Sequence, residues 1–242
     1  MRLDIRLEGE KIFIPFNYNT LVHAMVFDKL RFADPEYASE VHDSSSFKHF
    51  TFSEIHGEKT SVDSARGGLA VHSPSIQLFV SSPRERFLSA FMSGLACKPE
   101  ARIGENALRI SSVEALPPVD FSSGRAVFRT LSPINASTMR ERDGKLVRWD
   151  LLPDDAQFSE NINKNLARKY SDFHGKPANG GGLEFKLMGP FKTRRIRIKN
   201  EFHVASRMLF EASGSPELLS FAYECGFGER NSMGFGMVEV IG

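Results

Sequence analysis

The chain has 242 residues, of which 41% are hydrophobic and 25% are charged, and its formal net charge is +1. These values are typical of a soluble globular protein with one large domain or two smaller ones, and they argue against a disordered chain or a uniformly basic nucleic-acid-binding domain. No apolar run is long enough to span a bilayer, and charged residues interrupt the apolar N-terminus, so we expect a cytoplasmic protein with no signal peptide and no membrane partner.

The first half of the chain has the periodicities of mixed helices and strands. Apolar and charged residues alternate over 3–7, which predicts a half-buried strand. Thr20 is a candidate N-cap for the next helix, and Asp34 before Pro35 favours the start of a second one. The apolar runs 69–71 and 76–80 predict a hairpin closed at Ser73–Pro74. The other predicted elements are strands over 47–52 and 108–113 and helices over 20–30, 34–41 and 83–97.

A linker is predicted near the middle of the chain, where Pro117, Pro118 and the segment 122–124 cluster. The same order of elements then recurs, with strands over 126–131, 183–188, 194–198, 203–212 and 237–241 and helices over 154–170 and 216–225. Each half therefore follows the ferredoxin-like order β, α, β, β, α, β. We predict an α+β protein of two tandem ferredoxin-like (RRM-like) domains with antiparallel sheets, over 1–120 and 125–242.

The two cysteines, Cys97 and Cys225, are far apart in apolar or helical contexts and are interpreted as free thiols. No Cys/His cluster has the spacing of a zinc site. We therefore expect no metal ion and no other cofactor.

A strongly basic segment lies at 192–199 and carries no acidic residue. Its arginines alternate with Ile196 and Ile198, which predicts a strand with one basic face that can follow a phosphate backbone. A solvated edge strand protected by its charges is the alternative. The candidate RNA-binding residues of this segment are Lys192, Arg194, Arg195, Arg197 and Lys199.

A glycine-rich loop closes the chain, with two Gly-Phe-Gly turns. Its spacing fits neither a dinucleotide fingerprint nor a Walker loop. Phosphate contact is one interpretation of the loop, and a ligand-free hairpin or strand entry is the other. Its candidate RNA-binding residues are Gly226, Gly228, Arg230, Asn231, Gly234 and Gly236, whereas the two phenylalanines of the turns are assigned to the core.

Four segments together resemble one family. They are Ile-Pro-Phe-Asn-Tyr at 14–18, a His-x5-Lys element ahead of Phe-Thr-Phe-Ser, Thr-Leu-Ser-Pro-Ile at 130–134, and the terminal glycine loop. Over essentially its whole length, the chain resembles the CRISPR repeat-processing endoribonucleases of the repeat-associated mysterious protein (RAMP) superfamily. The resemblance implies metal-independent cleavage of precursor CRISPR RNA by the RNA's own 2′-hydroxyl. The implied products carry a 5′-hydroxyl and a 2′,3′-cyclic phosphate or 3′-phosphate.

The resemblance also assigns catalytic roles. His42 matches the family's acid-base histidine, and Lys48 matches the lysine that stabilises the transition-state phosphate. Phe27 stands where family members with a complete catalytic set carry a tyrosine, and phenylalanine cannot exchange a proton. His42 acting with Lys48 alone, a substitute residue, or slow or lost cleavage are the three explanations. His23, one helical turn before Phe27, is our first candidate substitute, followed by Tyr37 and His49.

The resemblance leaves a second function open, because the catalytic set is incomplete. This alternative is a non-cleaving or weakly cleaving RAMP-type subunit that binds repeat or guide RNA. A ferredoxin-like RNA-binding protein outside CRISPR systems is a third, weaker alternative. The expected partner is CRISPR repeat RNA, with an effector complex and a second copy of the chain in a homodimer as further candidates.

Overall fold

The alternating apolar residues at the start of the chain form the centre of the first sheet. The structure is a computed structural model that describes residues 1–44 and 46–241. The strands of the first half are β1 Arg2–Glu8, β2 Ile12–Pro15, β3 Thr51–Phe52, β4 His56–Gly57, β5 Thr60–Asp63, β6 Gly68–Val71, β7 Ser75–Ser81, β8 Glu100–Ile103 and β9 Asn106–Leu116. Its helices are α1 Asn19–Ala33, α2 Pro35–Asp43 and α3 Glu85–Cys97. The main sheet has the order β3-β7-β1-β9-β8, with β4 also paired to β7, and all its pairs are antiparallel.

The second half repeats this arrangement around its own core. Its strands are β10 Arg125–Thr130, β11 Ser137–Arg142, β12 Lys145–Asp150, β13 Glu184–Leu187, β14 Lys192–Ile198, β15 Glu201–Arg207, β16 Leu209–Ser213 and β17 Val238–Val240. Its helices are α4 Phe158–His174 and α5 Pro216–Cys225, followed by a 3₁₀ turn at Asn231–Met233. The main sheet has the order β13-β16-β10-β17, while β11–β12 and β14–β15 form separate hairpins.

The predicted fold class is confirmed in both halves. The second ferredoxin strand pairs with the third, the third with the first and the first with the fourth, as β13-β16-β10-β17 shows. One buried apolar cluster extends from Leu3 to Leu108 and another from Phe121 to Val238. The two clusters are stabilised chiefly by removal of apolar surface from water.

In the first half, one predicted strand pairing is wrong and one predicted strand is shorter than expected. The segments 69–71 and 76–80 do not form a hairpin, because β6 pairs with β2 and β5 in a separate small sheet while β7 pairs with β1. The strand predicted over 47–52 is reduced to β3, because His49 adopts the left-handed conformation, with φ of 49°. Such a residue interrupts an extended chain.

Element ends differ from prediction where local capping differs. Thr20 does not cap α1, which begins at Asn19 without a side-chain cap, whereas the Asp34 side chain accepts a 3.0 Å hydrogen bond from the Tyr37 amide as predicted. Helix α4 is shifted toward the C-terminus and ends at Gly175, whose φ is 68°. The strand predicted over 203–212 is two strands, since β15 pairs with β14 and β16 with β10 and β13.

No helix within 1–44 and 46–241 is both long and apolar enough to cross a bilayer. The same described residues contain no cluster of three or more His, Cys, Asp or Glu side chains placed to hold a metal ion.

Candidate active site

The buried ring of Phe27 lies at the centre of a cluster of ionisable side chains. Its centroid is 4.7 Å from the ring of His23 and 5.6 Å from the ring of His42. The ammonium nitrogen of Lys48 lies 5.6 Å from the same centroid. The structure therefore brings together the three predicted catalytic residues, which we call with Phe27 the Phe27 cluster.

His42 is the most accessible member of the Phe27 cluster. It lies in the last turn of α2, and its side chain is 61% exposed, so an RNA strand can reach the ring. Its Nδ1 is 3.0 Å from a carboxylate oxygen of Asp43, which can only accept a hydrogen bond. Nδ1 is therefore the donor, and Nε2 points away from this pair as the atom available for proton exchange.

Lys48 is oriented by the end of α2. Its ammonium group donates to the carbonyl oxygen of His42 at 2.9 Å and to that of Val41, two groups that the helix end leaves without an intrahelical partner. Partial burial lowers the pKa of Lys48, and the nearby Asp43 carboxylate opposes this shift. Two of the three N–H groups are thereby occupied, and the third can contact a phosphate oxygen.

His23 has the geometry of a proton acceptor. Its Nδ1 lies 2.8 Å from the carbonyl oxygen of Ser232, so Nδ1 carries the hydrogen and Nε2 carries the free lone pair. Burial lowers the pKa of His23; the bond to Ser232 opposes the shift, and the charges of Lys48, His42 and Lys199 add to it. The ring is therefore neutral near pH 7 and holds a defined tautomer.

Tyr37 and His49, the other candidate substitutes, are structural residues. His49 is fully buried; its Nε2 donates to the carbonyl oxygen of Lys169 at 3.1 Å and its Nδ1 accepts from Arg84. Burial lowers the pKa of His49 to about 4. Tyr37 is 4% exposed and packs under the guanidinium of Arg86. Neither side chain presents a polar atom to the surface on which His42 lies.

The glycine-rich loop contacts the Phe27 cluster although it lies near the other end of the sequence. Besides the bond from His23 to Ser232, the Asn19 side chain donates to the carbonyl oxygen of Met233 at 2.7 Å. Both contacts come from successive turns of α1. The loop thus fixes the tautomer of His23, which connects the second half of the chain to the catalytic candidates of the first.

The loop glycines allow close packing. All four lie at positive φ; a Cβ on Gly234 would lie 2.2 Å from the Phe52 ring, and one on Gly236 would lie 1.9 Å from the Phe227 carbonyl oxygen. The amides of Phe227, Gly234 and Gly236 bond to backbone carbonyls of the protein. Because these glycines are buried, RNA contact by them stays a prediction, and the geometry favours the half-buried Arg230 as the part of the loop that can reach a ligand.

Two buried polar residues hold the loop from within. The Lys169 ammonium donates to the carbonyl oxygens of Gly226 at 2.5 Å and Gly228 at 3.1 Å, and to the side-chain oxygen of Asn231 at 2.9 Å. The Asn231 amide in turn donates to the carbonyl oxygens of Phe227 and Phe235, both at 3.0 Å. Asn231 is therefore an internal brace, and its predicted contact with RNA is not favoured. Lys169 was not singled out from the sequence.

The basic strand β14 has one exposed charged face, as its alternation predicted. Ile196 and Ile198 are buried, while Arg195 and Arg197 are exposed. Arg194 departs from the prediction, because it lies on the other face and forms an ion pair with Glu54. The remaining predicted contacts, Lys192 and Lys199, are exposed.

Phe202 is a second feature that sequence patterns did not reveal. It is 50% exposed beside β14, and the guanidinium of Arg195 lies 4.1 Å from its ring centroid. An exposed aromatic ring within a basic strip is a stacking surface for unpaired bases. In the antiparallel pair of β14 and β15, Phe202 lies opposite Arg197. This strand pairing, and not the order of residues along the chain, brings the ring into the basic strip.

Comparisons with known proteins identify relatives over the whole chain. Residues 13–114 match the family model described as "CRISPR-associated protein Cas6, N-terminal", and residues 115–240 match "CRISPR associated protein Cas6, C-terminal". The chain is 34% identical to the CRISPR-associated endoribonuclease Cas6 1 of Methanocaldococcus jannaschii, covering 98% of this chain and 92% of that protein. It is 31% identical to an endoribonuclease-like protein, Cas6nc, of Pyrococcus horikoshii, with full coverage of both.

Solved structures show the same fold. A structure described as a Cas6-related gene product from Pyrococcus furiosus has a TM-score of 0.91 at 30% identity, covering 100% of this chain and 98% of that one. Another, described as "An RAMP protein binding different RNA substrates", has a TM-score of 0.89 at 31% identity and covers both chains fully.

Proposed function

The chain belongs to the Cas6 family of CRISPR-associated endoribonucleases, and from this premise we propose that it cleaves precursor CRISPR RNA within each repeat without a metal ion. The observation that supports this proposal most is the Phe27 cluster, in which two histidines and a lysine surround one ring. Side chains of these types supply a base, an acid and a cation, which is what transfer of a phosphoryl group to a neighbouring 2′-hydroxyl requires.

We assign one role to each charged or titratable member of the cluster. Nε2 of His23 removes the proton of the 2′-hydroxyl, whose oxygen attacks the adjacent phosphorus. The bond between phosphorus and the 5′-oxygen breaks, and His42 gives its proton to that oxygen. Lys48 neutralises the charge that grows on the phosphorane oxygens. The products are a 5′-hydroxyl and a 2′,3′-cyclic phosphate.

We propose that repeat RNA lies along the exposed face of β14 and continues toward the Phe27 cluster. The residues for which exposure and charge support this are Lys192, Arg195, Arg197, Lys199 and Arg230, with Phe202 as a stacking surface. Phosphate contacts of this kind hold RNA without reading its sequence. The backbone amide of Arg197 donates to the side-chain oxygen of Asn17 at 2.8 Å, just before α1, which supports a path from this strip to the helix that carries His23.

The domain bounds, the cellular location and the protein partners belong to the same proposal. We propose domains over 1–120 and 125–242, supported by two clusters of buried apolar residues, one within 3–108 and the other within 121–238. A cytoplasmic location, where precursor RNA is transcribed, suits the function. An effector complex and a homodimer are the protein partners that we propose to test.

The products of the reaction test this function directly. We expect purified protein to cut RNA that carries the repeat of an adjacent array in the presence of EDTA, because the charge is stabilised by Lys48 and not by a metal ion. Mass spectrometry should find a cyclic phosphate on the upstream fragment and a hydroxyl on the downstream one. Cleavage that requires a divalent ion, or a 5′-phosphate product, would refute the proposed chemistry.

The proposed role of His23 as the proton acceptor is tested by replacing this residue and then adding a hydroxyl group nearby. His23→Ala should lower the rate constant about 100-fold or more, and adding Phe27→Tyr should restore part of the loss by supplying a hydroxyl in the same cluster. Because burial lowers the pKa of His23, the rise of the wild-type rate with pH should have its midpoint below pH 6.5. An unchanged rate and pH profile in His23→Ala would remove this residue from the mechanism.

The second candidate function is an RNA-binding subunit that cleaves slowly or not at all. Phe27 favours it, because the position lacks the hydroxyl of the complete catalytic set. The similarity to a relative named endoribonuclease-like is consistent with this candidate. Tight binding of repeat RNA with no product after long incubation would favour it over cleavage.

A further inference from the structure

A polar cavity lies beside the Phe27 cluster and is not used by the reaction described above. Its volume is about 590 Å³, and it is bounded by the β11–β12 hairpin, by α4 and by the glycine-rich loop. This size is within the range of cavities that hold a small organic ligand. We call it the α4 cavity.

The walls of the α4 cavity are positively charged. They contain four cationic side chains, Arg148, Lys164, Arg168 and Arg230, and one acidic side chain, Glu229. Glu229 is already satisfied, because it accepts hydrogen bonds from Ser137 at 3.0 Å and from Arg148 at 3.1 Å. Outside the walls, Glu160 pairs with Lys164 at 2.7 Å and Glu201 lies 3.8 Å from Arg230, whereas Arg168 has no acidic partner in the part of the chain that the structure describes. The charge of Arg168 therefore suits a ligand that carries a phosphate.

The floor of the cavity contains hydrogen-bonding atoms without partners. Asn165 is 6% exposed, and its side-chain oxygen has no partner among residues 1–44 and 46–241. The Nε atoms of Arg148 and Arg230 are also buried and have no partner within the described chain. Buried polar atoms in folded proteins almost always have a partner, so three unpaired ones around one cavity point to a ligand that would complete them.

Asn165 occupies a helix position that an apolar side chain would ordinarily fill. It lies on the buried face of α4, next in the helix to Leu166 and four residues before the Lys169 brace. A leucine there would extend the apolar core without any unpaired atom. Asn165 lines the cavity, and an amide side chain has both an acceptor and donors, the groups with which asparagine recognises the edge of a base.

The α4 cavity adjoins a second cavity that reaches Lys48. A second cavity of about 170 Å³ shares four wall residues with it, and Lys48 forms part of the wall of this second cavity. The shared residues are Phe47, Asn165, Glu229 and Arg230. Phe47 is half-buried where the two spaces meet, so its ring can stack on a base entering from the side of Lys48.

Arg230 has a strained backbone at this junction. Its φ is 58°, a left-handed conformation that a residue with a side chain rarely adopts. Strain of this kind persists where the surrounding structure imposes it, and it clusters at sites that bind ligands. Arg230 forms part of the walls of both cavities.

We propose that the α4 cavity binds one unstacked nucleotide of the RNA, next to the phosphate that is cleaved. Asn165 and Arg148 contact the edge of the base, Phe47 stacks on its face, and Arg168 and Arg230 contact its phosphate. The cavity therefore selects the base at one position of the substrate. The inference rests on the proposed function for the identity of the ligand as RNA.

The experiment measures base selection separately from cleavage. Wild-type protein is equilibrated with a pool of RNAs that have ten randomised nucleotides and 2′-fluoro riboses, which lack the attacking hydroxyl, and the bound fraction is sequenced. We expect one base to be enriched at one position. Asn165→Ala should reduce that enrichment about tenfold, the scale of a base-edge contact, and leave the other positions unchanged. Asn179→Ala, an exposed asparagine outside the cavity, should keep the full wild-type profile.

A second variant separates a local role from a loss of folding. Phe47→Ala should weaken binding of the selected RNA about tenfold and keep the wild-type thermal unfolding curve. An unchanged selection profile in Asn165→Ala, or an unchanged affinity in Phe47→Ala, would overturn the proposal. If selection behaves as expected while all-ribose repeat RNA stays uncut, the nucleotide site is retained and the proposed cleavage is refuted.

Discussion

Replacing His42 with alanine is expected to lower the single-turnover rate constant for repeat RNA cleavage by about 100- to 10,000-fold. The departing 5′-oxygen needs a proton, and His42 is the exposed imidazole that can provide it beside Phe27 and Lys48. Binding should change little, since the basic strip around β14 stays intact. Rapid-quench kinetics with saturating protein and a filter-binding isotherm on the same RNA measure the two quantities.

His72→Ala is the matched control for this prediction. His72 is an exposed histidine whose ring contacts Ser61, and it lies just after β6, outside the Phe27 cluster. The control should cleave RNA at the wild-type rate. Equal rates for His42→Ala and wild type would show that another group protonates the leaving oxygen.

The second large effect concerns the fold of the glycine-rich loop. Lys169→Met is expected to lower the free energy of unfolding by about 3 kcal/mol or more, because three buried acceptors lose their donor. Burial lowers the pKa of Lys169, so some desolvation cost is relieved, yet methionine cannot replace the hydrogen bonds. Cleavage should also slow, since the loop that carries Ser232 fixes the tautomer of His23.

Urea unfolding followed by circular dichroism measures the stability change. Lys164→Met is the control on the same helix, because Lys164 is exposed and makes one surface ion pair with Glu160. Its effect should stay within about 0.5 kcal/mol. If the two variants unfold at the same urea concentration, the buried ammonium does not stabilise the loop.

The order of elements was predictable because both halves have clear hydrophobic periods. Strand pairing was less so: the β6 and β7 segments look like a hairpin, but their partners lie elsewhere in the chain. The β11–β12 hairpin was missed, since Met139, Leu146 and Trp149 are exposed and leave no alternating apolar face. A local hydrophobic pattern indicates which residues of a strand are buried, but it does not indicate which other strand pairs with it.

The types of residue in the candidate site were predictable from the sequence, but their contacts in the folded chain were less so. The family resemblance pointed to His42 and Lys48 as candidates, but the tautomer of His23 depends on Ser232, more than 200 positions later. Arg194 illustrates the same limit, since only the fold brings Glu54 next to it. One available signal was overlooked: Asn165 and Lys169 interrupt the apolar face of α4, which is typical of polar residues with a specific task.

Cleavage by the RNA's own 2′-hydroxyl within the Phe27 cluster is the central claim. It is tested most directly by replacing the ribose at the scissile nucleotide of the repeat with deoxyribose and comparing single-turnover cleavage in EDTA. The account predicts equal binding of both RNAs, cleavage of the all-ribose RNA and no cleavage of the substituted one. Cleavage of the deoxyribose RNA at the same bond would contradict it.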